Sequence, residues 1–110
     1  MPSDLFDGPT VAQGTVGGTW FASGTVTCDA AVSGGVNFII KLWDGTTVIA
    51  STVAFQNVNG AKTTLSLSGF ITNPAGNLRL SVNCTDNTGV MLANYSGLGK
   101  DSTITAFRIA

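Results

Sequence analysis

The side chains that could perform acid, base or metal chemistry in this chain are its aspartates. The 110-residue sequence has six acidic residues, all aspartate, and no histidine. The commonest general base and the imidazole metal ligand are therefore both missing. Mechanisms that pair serine or cysteine with histidine are excluded, and any proton transfer or metal binding would depend on the aspartate carboxylates.

Four of these aspartates fall in predicted turns: Asp29, Asp44, Asp86 and Asp101. Aspartate is favoured in turns because its carboxylate accepts hydrogen bonds from nearby backbone N–H groups. Two carboxylates could instead meet at one end of the fold and bind calcium, but no segment has the closely spaced oxygen ligands of a calcium loop. We therefore expect no catalytic residue, no cofactor and no metal, and a protein that is not an enzyme.

Composition narrows the possible partners. Charged residues make up 10% of the chain and the formal net charge is -1, whereas soluble domains usually have about 25% charged residues. Without a basic run, the chain has no electrostatic surface for a nucleic-acid backbone. Its apolar runs are far shorter than the roughly 20 residues of a membrane-spanning helix. We expect neither nucleic acid nor a membrane as partner.

Alternating apolar and polar residues predict β-strands, because successive side chains of a strand point to opposite faces. The clearest case, "NLRLSVNC", places Leu78, Leu80, Val82 and Cys84 inward and Asn77, Arg79, Ser81 and Asn83 outward. "GTWFASGTVTC", "VNFIIKLW", "TTLSLSGFI" and "TITAFRI" alternate in the same way. The return strand 47–55 has apolar residues on both faces, so we expect it to be covered on both sides.

Turn signals separate these strands. Asp44-Gly45 is a strong hairpin signal, because a tight turn needs positive φ at its centre. With "VMLANY" and a short extended piece at residues 10–16, the chain has about eight predicted strands at the spacing of a sandwich or barrel. We predict an all-β, two-sheet antiparallel sandwich of the jelly-roll type. This domain covers 10–110 and follows a flexible arm at 1–9.

Two cysteines have inward parity. Cys28 and Cys84 both lie near the ends of apolar strands, where a cysteine thiol packs as a small hydrophobic group. The alternative is a disulfide between the two strands, which requires an oxidising compartment. The N-terminal residues are acidic where a secretory signal is basic. We expect assembly in the compartment of synthesis, which favours thiols.

Several aromatic residues do not fit inside one small sandwich. They are Trp43, Phe70, Tyr95 and Phe107. Several exposed apolar side chains close together indicate a contact surface. Contact with another subunit is the simpler interpretation, and stacking of a sugar on Trp43 or Tyr95 is the alternative.

Four segments carry a resemblance to a known class of protein: "GTWFASGTVT", "FIIKLWDGTTVIAS", "LRLSV" and "SGLGKDSTITAFRI". Over residues 18–109 they resemble small β-rich virion proteins of tailed bacteriophages. These include head decoration or cement proteins and fibre tips, whose jelly rolls are similar to tumour-necrosis-factor-like trimeric modules. The matching residues belong to strands and turns, so no catalytic or ligand-binding residue can be transferred.

The resemblance implies a non-enzymatic, homo-oligomeric component of a phage particle, assembled in bacterial cytoplasm. As a capsid decoration protein it would bind itself, as a trimer rather than a dimer, and the major capsid protein. As a fibre tip it would bind a cell-surface glycan. Both expectations rest on fold-level analogy, and fold alone does not determine function.

Overall fold

The computed structural model describes residues 5–11, 17–31, 35–57, 61–85 and 88–110, and for residues 5–9 only the backbone. These residues contain eight strands and no helix, and therefore no helix that could cross a membrane. The strands are β1 (Leu5–Val11), β2 (Thr19–Asp29), β3 (Val36–Trp43), β4 (Val48–Gln56), β5 (Thr63–Thr72), β6 (Leu78–Cys84), β7 (Val90–Leu92) and β8 (Thr103–Arg108).

The strands form two antiparallel sheets, which confirms the predicted all-β sandwich. The first sheet has the order β1-β6-β3-β4. In the second, β5 pairs with one side of β2, and β8 and β7 follow one another along its other side. In sequence, the pair β3–β4 lies within the pair β2–β5, which lies within the pair β1–β6. Such nested pairing, as in a long hairpin that is rolled up, is typical of a jelly roll.

The core lies between the sheets and follows the predicted alternation. Its buried members include Ala22, Val26, Cys28, Val36, Phe38, Ile40, Leu42, Leu78, Leu80, Val82 and Cys84. Leu80 fills the space above Gly24, because a Cβ added at Gly24 would lie 2.6 Å from Leu80 Cδ1. The missing side chain of Gly24 therefore allows Leu80 to pack closely against β2.

The predicted hairpin joins β3 to β4. Gly45 has a φ of 94°, a value that glycine adopts without steric cost. The Asp44 amide donates to the Thr47 carbonyl at 3.2 Å, and the Asp44 carboxylate accepts from the amides of Thr46 and Thr47. The turn is thus held by both the backbone and the side chain of Asp44.

The prediction that β4 is covered on both sides was wrong. Ala54 and Gln56 are buried, whereas Val53 and Phe55 on the opposite face are each 60% exposed. Strand pairing decides this: Ala54 is opposite buried Phe38, and Val53 is opposite exposed Ile39. The register between β3 and β4 also shifts between Leu42 and Trp43, so strict alternation does not hold along the whole of β4.

The sandwich begins earlier than the predicted boundary at residue 10. Strand β1 starts at Leu5 and pairs with the edge of β6, with a register irregularity between Asp7 and Thr10. An edge strand with an irregularity tolerates Pro9, which has no N–H to donate. The predicted extended piece at residues 10–16 overlaps β1 at Thr10 and Val11, and its other residues lie outside the described ones, as do residues 1–4.

Candidate interaction surface

The described aspartates at turns serve the backbone around them. Asp44 is 3% exposed, and besides the two amides in its own turn it accepts a hydrogen bond from the amide of Ala75 at 2.7 Å. Burial acts to raise the pKa of the Asp44 carboxyl, but these backbone N–H groups outweigh it and hold the pKa below the usual value. Asp44 therefore ties the β3–β4 turn to the β5–β6 turn.

Asp29 and Asp101 have comparable roles. Asp29 accepts from the amide of Ala30 at 2.8 Å and pairs with Lys62 at 3.1 Å. Asp101 accepts from the amide of Ser96 at 2.9 Å and from the Ser96 hydroxyl, which together lower the pKa of its carboxyl. Asp86 lies outside the described residues, and those that are described contain no cluster of three potential metal ligands.

Trp43 is less exposed than the sequence suggests. Its indole N–H donates to the Ser81 hydroxyl at 2.7 Å, and the Lys41 ammonium lies 3.4 Å from the ring centroid. The Arg79 guanidinium lies 5.9 Å from the same ring. Lys41 and Ser81 on its own sheet thus engage the Trp43 ring, and Ser81 on that outward face is fully buried. The role of Trp43 as an interface or ligand contact stays a prediction.

Tyr95 lies in the ordered turn between β7 and β8 rather than in a strand, because β7 ends at Leu92. Tyr95 is 65% exposed, and the Lys62 ammonium lies 4.4 Å from its ring centroid. The turn is closed by hydrogen bonds from the Gly97 amide to the Asn94 carbonyl and from the Leu98 amide to the Ser96 hydroxyl. The turn thus presents Tyr95 and Leu98 to solvent on a fixed backbone.

Phe70 and Phe107 belong to a row of three aromatic rings. In the register of the second sheet, Phe21 on β2 is opposite Phe70 on β5 and opposite Phe107 on β8. The Phe21 ring lies 5.1 Å from Phe70 and 5.6 Å from Phe107 between centroids. Sequence analysis missed Phe21, although it has the same parity as the polar Ser23 and Thr25 of β2, which is the signal that could have revealed it.

Hydroxyl side chains surround this row on the same outer face. Three pairs bridge β2 and β5 by hydroxyl–hydroxyl hydrogen bonds of 3.0 Å: Thr19 with Thr72, Thr25 with Ser66, and Thr27 with Thr64. The outer face is therefore apolar at the aromatic row and lined with hydroxyl groups on both sides of it, and the Asp29–Lys62 ion pair lies at the end of β2. These six hydroxyl groups are satisfied by one another.

A second apolar patch lies on the outer face of the other sheet. Ile39 on β3 is opposite Val53 on β4, and Phe55 follows on the same face. All three are exposed. The outward cations Lys41 and Arg79 lie further along this face, beside Trp43. The apolar patch of this sheet thus lies on the same face as two cations, whereas the aromatic row of the other sheet is flanked by hydroxyl groups.

Both cysteines are buried thiols rather than a disulfide. Burial, and to a smaller extent the neighbouring Cys84, raise the pKa of the Cys28 thiol to about 12. A thiol of such high pKa is a poor nucleophile at neutral pH, because the thiolate is the reactive form. The geometry supports a packing role for Cys28.

Comparison with protein-family models and with curated proteins finds no match to this chain. Function must therefore be inferred from the molecule's own surfaces and from the resemblance of its strand and turn segments.

Proposed function

We propose that the protein is a non-enzymatic, homo-oligomeric structural protein of a bacteriophage particle, where it binds the capsid as a decoration or cement protein. The observation that carries the proposal is the clustering of large exposed apolar side chains on both outer sheet faces, including Phe70, Phe107, Val53 and Phe55. Scattered exposed hydrophobic residues are common, but contiguous patches mark surfaces that another protein covers.

The arrangement of polar groups supports a structural role. The carboxylates of Asp29, Asp44 and Asp101 accept hydrogen bonds from neighbouring backbone amides, so they hold turns in place. Asp101 also accepts from the Ser96 hydroxyl, but the Ser96 amide donates to the same carboxylate, which is the pattern of a turn rather than of an activated nucleophile. The assignment to a phage particle comes from the resemblance of strand and turn segments over residues 18–109.

Closed symmetry lets each copy cover the apolar surface of its neighbour. A trimer suits the local three-fold positions of an icosahedral shell, where one decoration protein contacts several capsid subunits and gains avidity from weak individual contacts. A dimer is the alternative form. In either form, the protein is located on the phage particle and is assembled in the bacterial cytoplasm.

A fibre tip that binds a cell-surface glycan is the second candidate. The observation that favours it is the exposed Tyr95 on a turn fixed by Asp101. Against it, a lysine ammonium already lies close to the ring in both aromatic candidates, Lys62 at Tyr95 and Lys41 at Trp43. A sugar stacking on either ring would have to compete with that cation, so the structural role is favoured.

The decisive experiment is light scattering of the purified protein at micromolar concentration, in low and then in high salt. We expect an oligomer in both conditions, because contacts formed by apolar burial are not screened by salt. A monomer in both conditions would contradict the proposal and favour the glycan-binding fibre tip. In that case, binding of Tyr95→Ala and of the unmodified protein to an array of bacterial surface saccharides would be compared.

A further inference from the structure

We infer that copies of this chain contact one another through the outer face of the β5-β2-β8 sheet, with Phe21 at the centre of the contact. This inference rests on the proposed homo-oligomeric function and specifies the surface that its dimeric form uses, because a face that meets its own copy forms a two-fold contact. We define the Phe face by its outward residues: Thr19, Phe21, Ser23, Thr25 and Thr27 on β2, Thr64, Ser66, Ser68, Phe70 and Thr72 on β5, and Thr103, Thr105 and Phe107 on β8.

The aromatic row provides the apolar part of the contact. Phe70 is 63% exposed and Phe107 is 54% exposed, although each packs against Phe21 on one side. Ile109, which follows β8, is also exposed, and its amide donates to the Thr19 carbonyl next to the row. Aromatic side chains contribute strongly when an interface removes them from water.

The lack of charge among the outward residues of the Phe face fits a second copy as its partner. In a two-fold contact, charges near the symmetry axis come close to their own copies, and like charges across an interface are costly. The Phe face as defined has no charged residue, and Asp29, the next residue of the same parity on β2, is paired with Lys62 at 3.1 Å, so charge of a single sign does not face the copy. The outer face of the other sheet has outward Lys41 and Arg79 beside Trp43, so two facing copies would concentrate positive charge in one interface.

The hydroxyl pairs also favour protein over sugar as the occupant. Burying a hydroxyl is costly unless it keeps a hydrogen bond. The pairs Thr19–Thr72, Thr25–Ser66 and Thr27–Thr64 keep such bonds within the face. A glycan needs donors and acceptors that are directed outward, whereas a second protein surface can cover groups that are already satisfied.

The size of the face predicts the strength of the association. From Thr19 to Thr27 it extends about 27 Å along the strands, and about 15 Å across three of them. Two facing copies would bury roughly 800 Å² in total, below the ~1,200 Å² of stable specific interfaces. We therefore expect reversible, concentration-dependent association in solution, which becomes stronger when a particle holds the copies close together.

The test compares two double variants that remove equally exposed apolar groups from opposite sheets. One is Phe70→Thr with Phe107→Thr, and the matched control is Val53→Thr with Phe55→Thr. Threonine retains strand propensity and resembles the neighbouring residues of the Phe face. Phe21→Thr is a third variant, and thermal unfolding followed by circular dichroism checks that every variant folds.

Sedimentation equilibrium over a range of concentrations then measures association. We expect the Phe70/Phe107 variant to raise the dissociation constant at least tenfold, and the Val53/Phe55 control to change it less than threefold. A folded Phe70/Phe107 variant that associates like the unmodified protein would overturn the inference while leaving homo-oligomerisation intact. So would dissociation caused by the Val53/Phe55 control alone. A monomeric unmodified protein would instead contradict the proposed function itself.

Discussion

Truncation of Leu80 tests the packing between the two sheets. Leu80 on β6 is fully buried, and its Cδ1 would lie 2.6 Å from a Cβ added at Gly24 on β2. Leu80→Ala removes three carbon atoms, a loss of about 2.4 kcal/mol at about 0.8 kcal/mol per methylene. The cavity left behind adds to this, so we expect a total loss of about 3 to 4 kcal/mol in the free energy of unfolding.

Gly24→Ala should be destabilising by the opposite mechanism. The new methyl group would overlap Leu80 and would also lie 3.1 Å from the Thr103 carbonyl oxygen, and overpacking of this kind costs about 1 to 3 kcal/mol. In the Leu80→Ala background the overlap with Leu80 disappears and the methyl group fills part of the cavity. We therefore expect the double variant to lose about 3 to 4 kcal/mol rather than the roughly 5 kcal/mol of an additive pair.

Equilibrium unfolding in urea, followed by tryptophan fluorescence at one fixed protein concentration, measures each free energy. Gly69→Ala is the matched control, because its added Cβ would meet Ile49 Cγ2 at 2.6 Å instead of Leu80. Its effect should add to that of Leu80→Ala within about 0.5 kcal/mol. If the effects of Gly24→Ala and Leu80→Ala added in the same way, the contact between the two sheets would be refuted. A loss below about 1 kcal/mol for Leu80→Ala would place the Leu80 face of β6 outside the core.

Three further predictions concern single polar or thiol groups. Asp44→Asn should lower the free energy of unfolding by about 1.5 to 3 kcal/mol at neutral pH. The folded pKa of Asp44 lies below its unfolded value, so the ionised carboxylate is the form that stabilises the fold. In urea titrations, the difference in free energy of unfolding between the variant and the unmodified protein should therefore shrink below about pH 4. A difference that does not change with pH would contradict this. Ser102→Ala removes a hydroxyl that accepts from a β2 amide at 3.1 Å and donates to a β7 carbonyl at 2.6 Å. Thermal unfolding should show that the variant loses about 1 to 3 kcal/mol in the free energy of unfolding. An unchanged midpoint of thermal unfolding would show that water replaces the hydroxyl. Cys28, with a pKa raised to about 12, should react with an aromatic disulfide reagent at pH 8 only after unfolding, since about one thiol in 10,000 is ionised in the folded state; rapid labelling of the native protein would disprove its burial.

The candidate surface could be predicted from sequence only in part. Phe70, Tyr95 and Phe107 are exposed as expected. Phe21 was overlooked because a single aromatic among threonines and serines on β2 is not unusual by itself. It becomes the centre of a row only when β5 and β8 pair with β2 in the observed register.

For Trp43 the structure adds contacts that the sequence does not show. Its position beside a turn, on the mixed face of β3, suggested an accessible ring. The ring is engaged by Lys41 on its own strand and by Ser81 on the paired strand β6. An alternating pattern identifies the face of a residue but not the neighbours on that face, because those neighbours come from strands that are distant in sequence.

The sequence by itself determined the strand class, the inward positions of β2, β3 and β6, and the turn at Asp44-Gly45, because side-chain alternation and turn chemistry are local properties of the chain. Only the tertiary structure decided that β4 is exposed on one side, that β1 extends the sheet to Leu5, and that three phenylalanines meet on one face. These features depend on strand pairing and register. Pairing is set by hydrogen bonds and packing between segments far apart in the chain, and a one-residue shift would move every side chain of a strand to the opposite face.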